Sequence, residues 1–149
     1  MKRLLIILMR GFGFIASAPA RFIRPQVKQP NYVDHDNWIE FLSKKFDKPN
    51  MRILEIGSRN VTGANLSGKF QNAEYIGFDF HPGENVTVVG DAHRLSSYFE
   101  KDQKFDLIFC SAVFEHLHMP WIVAEQISHM LKDEGHVFVE THFSFRSHE

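Results

Sequence analysis

Four apolar runs in this chain each end in a side chain or turn that can do chemistry. "ILEIGSRN" ends in Glu55 and Gly57, "YIGFDF" in Asp79, "VTVVGD" in Asp91 and "FDLIFCS" in Ser111. If the runs are neighbouring parallel strands, all of these lie along one edge of a sheet, at the carboxyl ends where such sheets bind ligands. A glycine after the first strand lets backbone approach a ligand closely. An acid after the second suits a ribose diol, because a carboxylate accepts two hydroxyl hydrogen bonds. An acid after the third can accept from an exocyclic amine such as that of adenine. Taken singly, an Asp at a strand end is more often a turn former or a cap. The ordered set is far more specific than its members. Just past the fourth run, His116 in "FEHLH" is a candidate general base for a hydroxyl acceptor. Its plainer reading is a histidine that caps or packs a helix start.

These residues need a sheet to hold them, and the hydrophobic pattern predicts one. Strand candidates fall at 51–56, 74–80, 86–89, 105–110 and 136–143, several of them near-continuous apolar runs of the kind found in buried parallel strands. "NWIEFLSKKF" puts Trp38, Phe41, Leu42 and Phe46 on one helical face, with Asn37 and Glu40 spaced as a capping box. Pro49-Asn50 ends that helix. "PWIVAEQISHML" makes a second helical stripe through Val123, Ile127, Met130 and Leu131, with Pro120 in its first turn and Gly135 just beyond its end. "RLSSYFEKDQK" is a weaker helix before the fourth strand. Only "HPGEN" separates the second and third strands, too little for a usual parallel crossover. The third strand is therefore either short and marginal or paired differently from a doubly wound layout.

A chain of 149 residues suits one core, and 44% hydrophobic with 23% charged residues is ordinary globular composition. The 15 Phe read as core filler. Charge is uneven. Residues 1–33 carry six of the 17 basic residues and none of the 18 acidic ones, which leaves the remainder at net −7. That acidic body argues against sequence-specific nucleic-acid binding. The lone Cys110 excludes an intrachain disulfide and a CxxC metal site, and reads as a buried filler.

The basic segment 1–33 reads as an N-terminal arm and linker ahead of a domain at 34–149. "MKRLLIILMRGFGFIASAPA" has the outline of a secretory signal, but Arg10 splits its apolar run and Pro19 follows the AxA site. It is too short and too charged to span a bilayer. The alternatives are a basic amphipathic segment on an anionic membrane surface or a partner, a disordered extension, or a signal peptide. A cytoplasmic protein, peripheral at the inner face of the membrane through this arm, is the corresponding expectation for location.

With those residues in hand, the chain resembles class I S-adenosylmethionine-dependent methyltransferases, in particular a small bacterial branch associated with glycan and secondary-metabolite pathways. The resemblance covers about residues 37–145 on four stretches: "ILEIGSRNVTG", "YIGFDFHPG", "VVGDAHRL" and "FDLIFCSAVFEHLHMPWIVAEQISHMLKDEGHVFVET". It implies an α/β, Rossmann-like, mostly parallel sheet with flanking helices. It also implies S-adenosylmethionine as cofactor. Glu55 and Gly57, with Ser58 in the same turn, would face its methionine part, with Asp79 on the ribose and Phe80 beside the adenine. Asp91 and Ala92 would sit at the adenine edge, and Ser111 would complete the cofactor set. The implied reaction is O-methylation of a glycan or small-molecule acceptor, with His116 as base; the alternative is a non-catalytic methyltransferase-like binding module.

The sequence departs from the family at named positions. Arg59 and Val61 stand where the second and third glycines of the first motif are usual, and "KDEG" replaces "KPGG". Arg59 is expected to point away from the cofactor, since a cation beside a sulfonium is repelled. Relatives with a metal near the fourth strand carry ExxEH, whose first acid is Ala112 here, so no metal is expected, although His118 and His142 lie near in sequence. The sequence ends at Glu149, directly after the fifth strand candidate. This reads as a fragment, a truncated frame or a minimal variant, with strand five an exposed apolar edge. A nicotinamide-binding domain is disfavoured, because "GSRNVTG" does not supply GxGxxG.

Overall fold

The computed structural model describes residues 37–61, 63 and 65–141. The arm and its membrane or signal readings lie outside the described residues, as do His142 and Phe143. Within them is a five-stranded sheet, all pairings parallel, in the order β3-β2-β1-β4-β5. The strands are β1 (Arg52–Ile56), β2 (Glu74–Asp79), β3 (Val88–Val89), β4 (Phe105–Ser111) and β5 (Leu131–Glu140). Two α-helices flank it, α1 (Trp38–Phe46) and α2 (Pro120–Met130). This is the Rossmann-like architecture that the alternation of strand and helix signals predicts. No described helix is long and apolar enough to cross a membrane.

The two faces of the sheet bury different chemistry. Leu54, Ile56, Phe78, Ile108 and Cys110 pack with Val123, Ile127 and Met130 of α2 and with Leu95. Burial pushes the Cys110 thiol up to about 12, so it stays protonated filler at neutral pH. The opposite face is aromatic. Trp38 of α1 stacks on Phe138 with ring centroids 5.2 Å apart and tilts against Phe109 at 6.0 Å, and Phe70 bridges Phe109 and Tyr75. Trp38, Leu42 and Phe46, four residues apart, form the buried stripe of α1. Phe41, expected on that stripe, instead lies at its margin and is exposed. Asn37 flanks the helix without a side-chain capping bond.

Of the two readings left open for the third strand, the structure takes the first, and two other expectations are revised. β3 is only two residues long, which accounts for the short connection before it: the chain makes two rungs with β2 and leaves. The helix predicted from "RLSSYFEKDQK" is a 3-10 segment, Ala92–Tyr98, broken at Arg94 and begun by Asp91, whose side chain accepts the His93 N–H. Finally, α2 stops at Met130, and Leu131 already belongs to β5, five residues ahead of the predicted strand. Gly135 is not a helix stop. A Cβ there would come within 2.9 Å of the carbonyl oxygens of Lys132 and Phe105, so glycine is needed where β5 shifts register against β4.

Candidate functional site

At the carboxyl ends of the strands lies a cavity of about 970 Å³. Its floor is the turn after β1. Gly57 has φ +83, in the left-handed region, and a Cβ on it would meet Val113 Cγ2 at 2.3 Å. The turn and the loop after β4 therefore close on each other only because residue 57 is glycine. Ala112, which follows β4, also has positive φ (53) and donates its N–H to the Glu140 carbonyl. A non-glycine residue held in that region is a local strain of the kind found at ligand sites.

All nine residues singled out in the sequence line this one cavity: Glu55, Gly57 and Ser58 from the first turn, Asp79 and Phe80 from the end of β2, Asp91 and Ala92 after β3, and Ser111 and His116 from the end of β4 and its loop. Their surroundings differ. Glu55 is buried and accepts a hydrogen bond from Tyr75 Oη. Burial pushes its carboxyl up to about 7, against the pull of the Tyr75 bond and with a smaller push from Asp79. Burial and the Glu55 charge likewise hold the Tyr75 phenol protonated. Ser58 Oγ is buried with no hydrogen-bond partner among the described residues. Asp79 is held by backbone: Oδ2 accepts from the Arg59 N–H at 3.1 Å and Oδ1 from the His81 N–H at 2.9 Å. Phe80 presents an exposed ring to the cavity.

Arg59 is turned toward the end of β2 and the loop after it. Its Nε lies 3.9 Å from Asp79 Oδ1, its side chain packs where a Cβ on Gly83 would stand, and it lines the cavity. The nearest fixed charge, the Asp79 carboxylate, decides its direction. Four further residues, none of them a sequence candidate for the cofactor site, bear on it: Glu140 and His93 line the cavity, and Tyr75 and Glu115 stand outside its lining. Tyr75 tunes Glu55. Glu140, ending β5, accepts from Ser111 Oγ at 2.5 Å. Glu115 accepts from Thr141 Oγ1 at 2.9 Å, joining the loop after β4 to the end of β5. His93 pairs with Asp91, Nδ1 to Oδ1 at 2.7 Å. The His93 N–H and ring, in that order, hold the Asp91 carboxyl below the ordinary carboxylate range. Glu140 closes the apolar run of "VFVE" and carried the same strand-end signal as the others, whereas His93 follows no apolar run and was visible only as the neighbour of Asp91.

The charge pattern selects a ligand class. Glu55, Asp79, Asp91 and Glu140 face the cavity, against the single arginine Arg59. A partly desolvated pocket so lined favours a cationic or hydroxyl-rich ligand over a phosphate-bearing one. Among the described residues no group of three or more His, Cys, Asp or Glu is arranged to hold a metal ion.

Comparison with known proteins gives the class. A family model described as a methyltransferase domain matches residues 29–149, so the chain belongs to the methyltransferase-domain family. Among solved structures it is similar to the trans-methyltransferase CalH complexed with SAH, at TM-score 0.53 and 18% identity, covering 68% of this chain and 34% of that one. It is similar also to the plantazolicin methyltransferase BamL in complex with a triazolic desmethylPZN analogue and SAH, at TM-score 0.53 and 23% identity, covering 69% and 42%. A third is coclaurine N-methyltransferase bound to N-methylheliamine and SAH, at TM-score 0.51 and 15% identity, covering 76% and 38%. At these identities the likeness is one of fold, and the chain spans less than half the length of each neighbour. No curated protein matches the chain.

Proposed function

We propose that the cavity binds S-adenosylmethionine and that the chain takes part in methyl transfer to a hydroxyl of a small-molecule or glycan acceptor. The observation that carries this reading is the ordered convergence of Glu55, Asp79, Asp91 and Ser111 from four successive strand ends on one acidic cavity. The donor set fits the cofactor. Asp79, steadied by two backbone N–H groups, offers its remaining lone pairs to a ribose diol. Asp91 offers Oδ2 to the adenine amine, since both His93 bonds fall on Oδ1. Glu55 faces the ammonium of the methionine part, and Ser58 Oγ, buried without a partner, supplies a waiting hydroxyl.

When bound, the cofactor supplies a methyl group already activated on a sulfonium, so the protein's work is alignment and proton removal. The ring of carboxylates favours the cationic cofactor over its neutral-sulfur product and so assists release. His116, on the loop after β4, takes the proton of an acceptor hydroxyl as the new oxygen–carbon bond forms. Arg59, with its Nε 3.9 Å from Asp79 Oδ1, adds a cation beside that carboxylate.

Titration calorimetry with S-adenosylhomocysteine tests the binding reading: saturable heat is expected, and its absence from folded protein at millimolar ligand would sink it. Asp79→Ala removes two charge-assisted hydrogen bonds, each worth about 1.5–3 kcal/mol, and is expected to weaken binding by about 100-fold or more. His116→Ala is expected to leave binding within about twofold and to lower turnover about 100-fold, in the range of general-base loss. Binding without transfer to any hydroxyl acceptor would instead assign the chain as a cofactor-binding module.

A further inference from the structure

His93 makes two ring contacts to two different walls of the cavity. Its Nδ1 lies 2.7 Å from Asp91 Oδ1. Its Nε2 lies 3.3 Å from the backbone nitrogen of Met119, 26 residues further along the chain. A backbone N–H can only donate, so Nε2 must present a lone pair. The ring proton of the neutral imidazole then sits on Nδ1, where it is donated to the Asp91 carboxylate. Each bond fixes the tautomer that the other requires. The ring is well shielded, with 17% of its side chain exposed against 42% for Asp91. Met119 directly precedes α2 and ends the loop that carries His116, Leu117 and His118 along the cavity. The same loop is also tied to the end of β5 and the residue after it, through the Ala112 N–H on the Glu140 carbonyl and the Thr141 hydroxyl on Glu115.

We propose that His93 is a positioning residue: its neutral, Nδ1-protonated ring braces the adenine-edge carboxylate Asp91 against the loop 112–119 that bears the base. The proposal rests on the reading that Asp91 faces the adenine, and it adds a coupling between the two halves of the site. Through one ring, a ligand amine drawn to Asp91 Oδ2 steadies the carboxylate that steadies the loop. Because His93 does not touch the reacting atoms, its removal should act on geometry and not on chemistry.

The test separates the two arms of the ring. Asn at 93 can keep a donor toward Asp91 but cannot reach Met119, whereas Gln can accept from Met119 and gives up the short donor. In the full chain, nitrogen-15 spectra of the histidine rings are expected to show one ring protonated at Nδ1 and lost in both variants. His93→Asn is expected to speed exchange of the Met119 amide about fivefold or more, as for loss of one hydrogen bond. His93→Gln is expected to leave that exchange nearer wild type and to weaken S-adenosylhomocysteine affinity about fivefold. In wild type, saturating S-adenosylhomocysteine is expected to slow Met119 exchange further, and that slowing is expected to be lost in both variants. An Nε2-protonated ring, or the same ligand-induced slowing of Met119 exchange in wild type and variants, would overturn the brace. If wild type binds no S-adenosylhomocysteine, the cofactor reading fails, while the tautomer and Met119 exchange still decide the brace in unliganded protein.

Discussion

Glu55 shows how one buried carboxyl links stability to binding. Its folded value of about 7 lies above its ordinary 4.5, so the folded state holds the proton more tightly than the unfolded state. Its contribution to stability is therefore full below about pH 4.5 and is lost as pH rises through 7. Binding has the opposite sign: a cationic ammonium beside Glu55 favours the ionised form and pulls its value down. S-adenosylhomocysteine is expected to bind about tenfold more weakly at pH 6 than at pH 8, while the melting temperature falls over the same interval. Glu55→Gln keeps an acceptor for Tyr75 and is expected to flatten both slopes. Calorimetry and thermal melts across that range check this; parallel slopes in wild type and variant would mean that Glu55 is not the titrating group. The place of Arg59 was less legible in the sequence: repulsion from a sulfonium says only where a cation does not go, and the attraction of Asp79, twenty residues away in sequence and 3.9 Å from Arg59 Nε in space, shows only in the fold.

At the scale of elements, the site depends on close approach between strand ends. Gly77 stands beside Glu55 in the β1–β2 register, and a Cβ on it would lie 1.9 Å from the Asn85 carbonyl and 2.6 Å from Ser58 Oγ. The Asn85 contact is with backbone and cannot be relieved by a rotamer change. Gly77→Ala is expected to destabilise by about 1–3 kcal/mol in denaturant unfolding and to reduce cofactor affinity by displacing Ser58. Gly68→Ala, where nothing comes nearer than 3.9 Å, is the matched control and should cost less than about 0.5 kcal/mol. An unchanged midpoint for Gly77→Ala would show that the segment around Asn85 yields freely. Elements whose signal is local were legible in the sequence: the i, i+4, i+8 stripe of α1 and the apolar runs of β1, β2 and β4. The start of β5 was not. Leu131 continues the helical stripe of α2 in sequence, and only pairing with Phe105 makes it a strand residue. Gly135 has the look of a helix stop, yet its reason is a carbonyl of β4, which no local pattern encodes. The strand-end residues were legible because a parallel sheet brings its carboxyl ends together whatever the loops do.

For the described domain as a whole, β5 is where burial is least even. It is the outermost strand of the sheet and runs ten residues, Leu131–Glu140. Phe138 on one face stacks on Trp38, and His136 on the same face packs edge-on against Phe46 and accepts from Lys45 Nζ. Val137 and Val139 point the other way and are 50% and 39% exposed. Two branched apolar side chains beside an edge that no described strand pairs form a template for pairing with another chain. The charged residues Lys132, Asp133 and Glu134 lie in the first half of the strand, and Glu140 at its end takes the Ser111 hydroxyl, so the stretch 135–139 between them carries no Asp, Glu, Lys or Arg to discourage such pairing. The described chain is therefore expected to associate reversibly with rising concentration, detected as an increase in weight-average mass in sedimentation experiments. Val137→Lys places a charge on the exposed face without touching the Trp38–Phe138 stack. It should shift association to about fivefold higher concentration, because like charges meet wherever two such edges pair, at a cost of about 1 kcal/mol. Trp38→Ala acts on the other face, and its loss of a buried ring is expected to lower stability by about 3–5 kcal/mol. If Val137→Lys left the association unchanged while Trp38→Ala altered it, the contact would lie on the α1 face and the edge of β5 would be excluded.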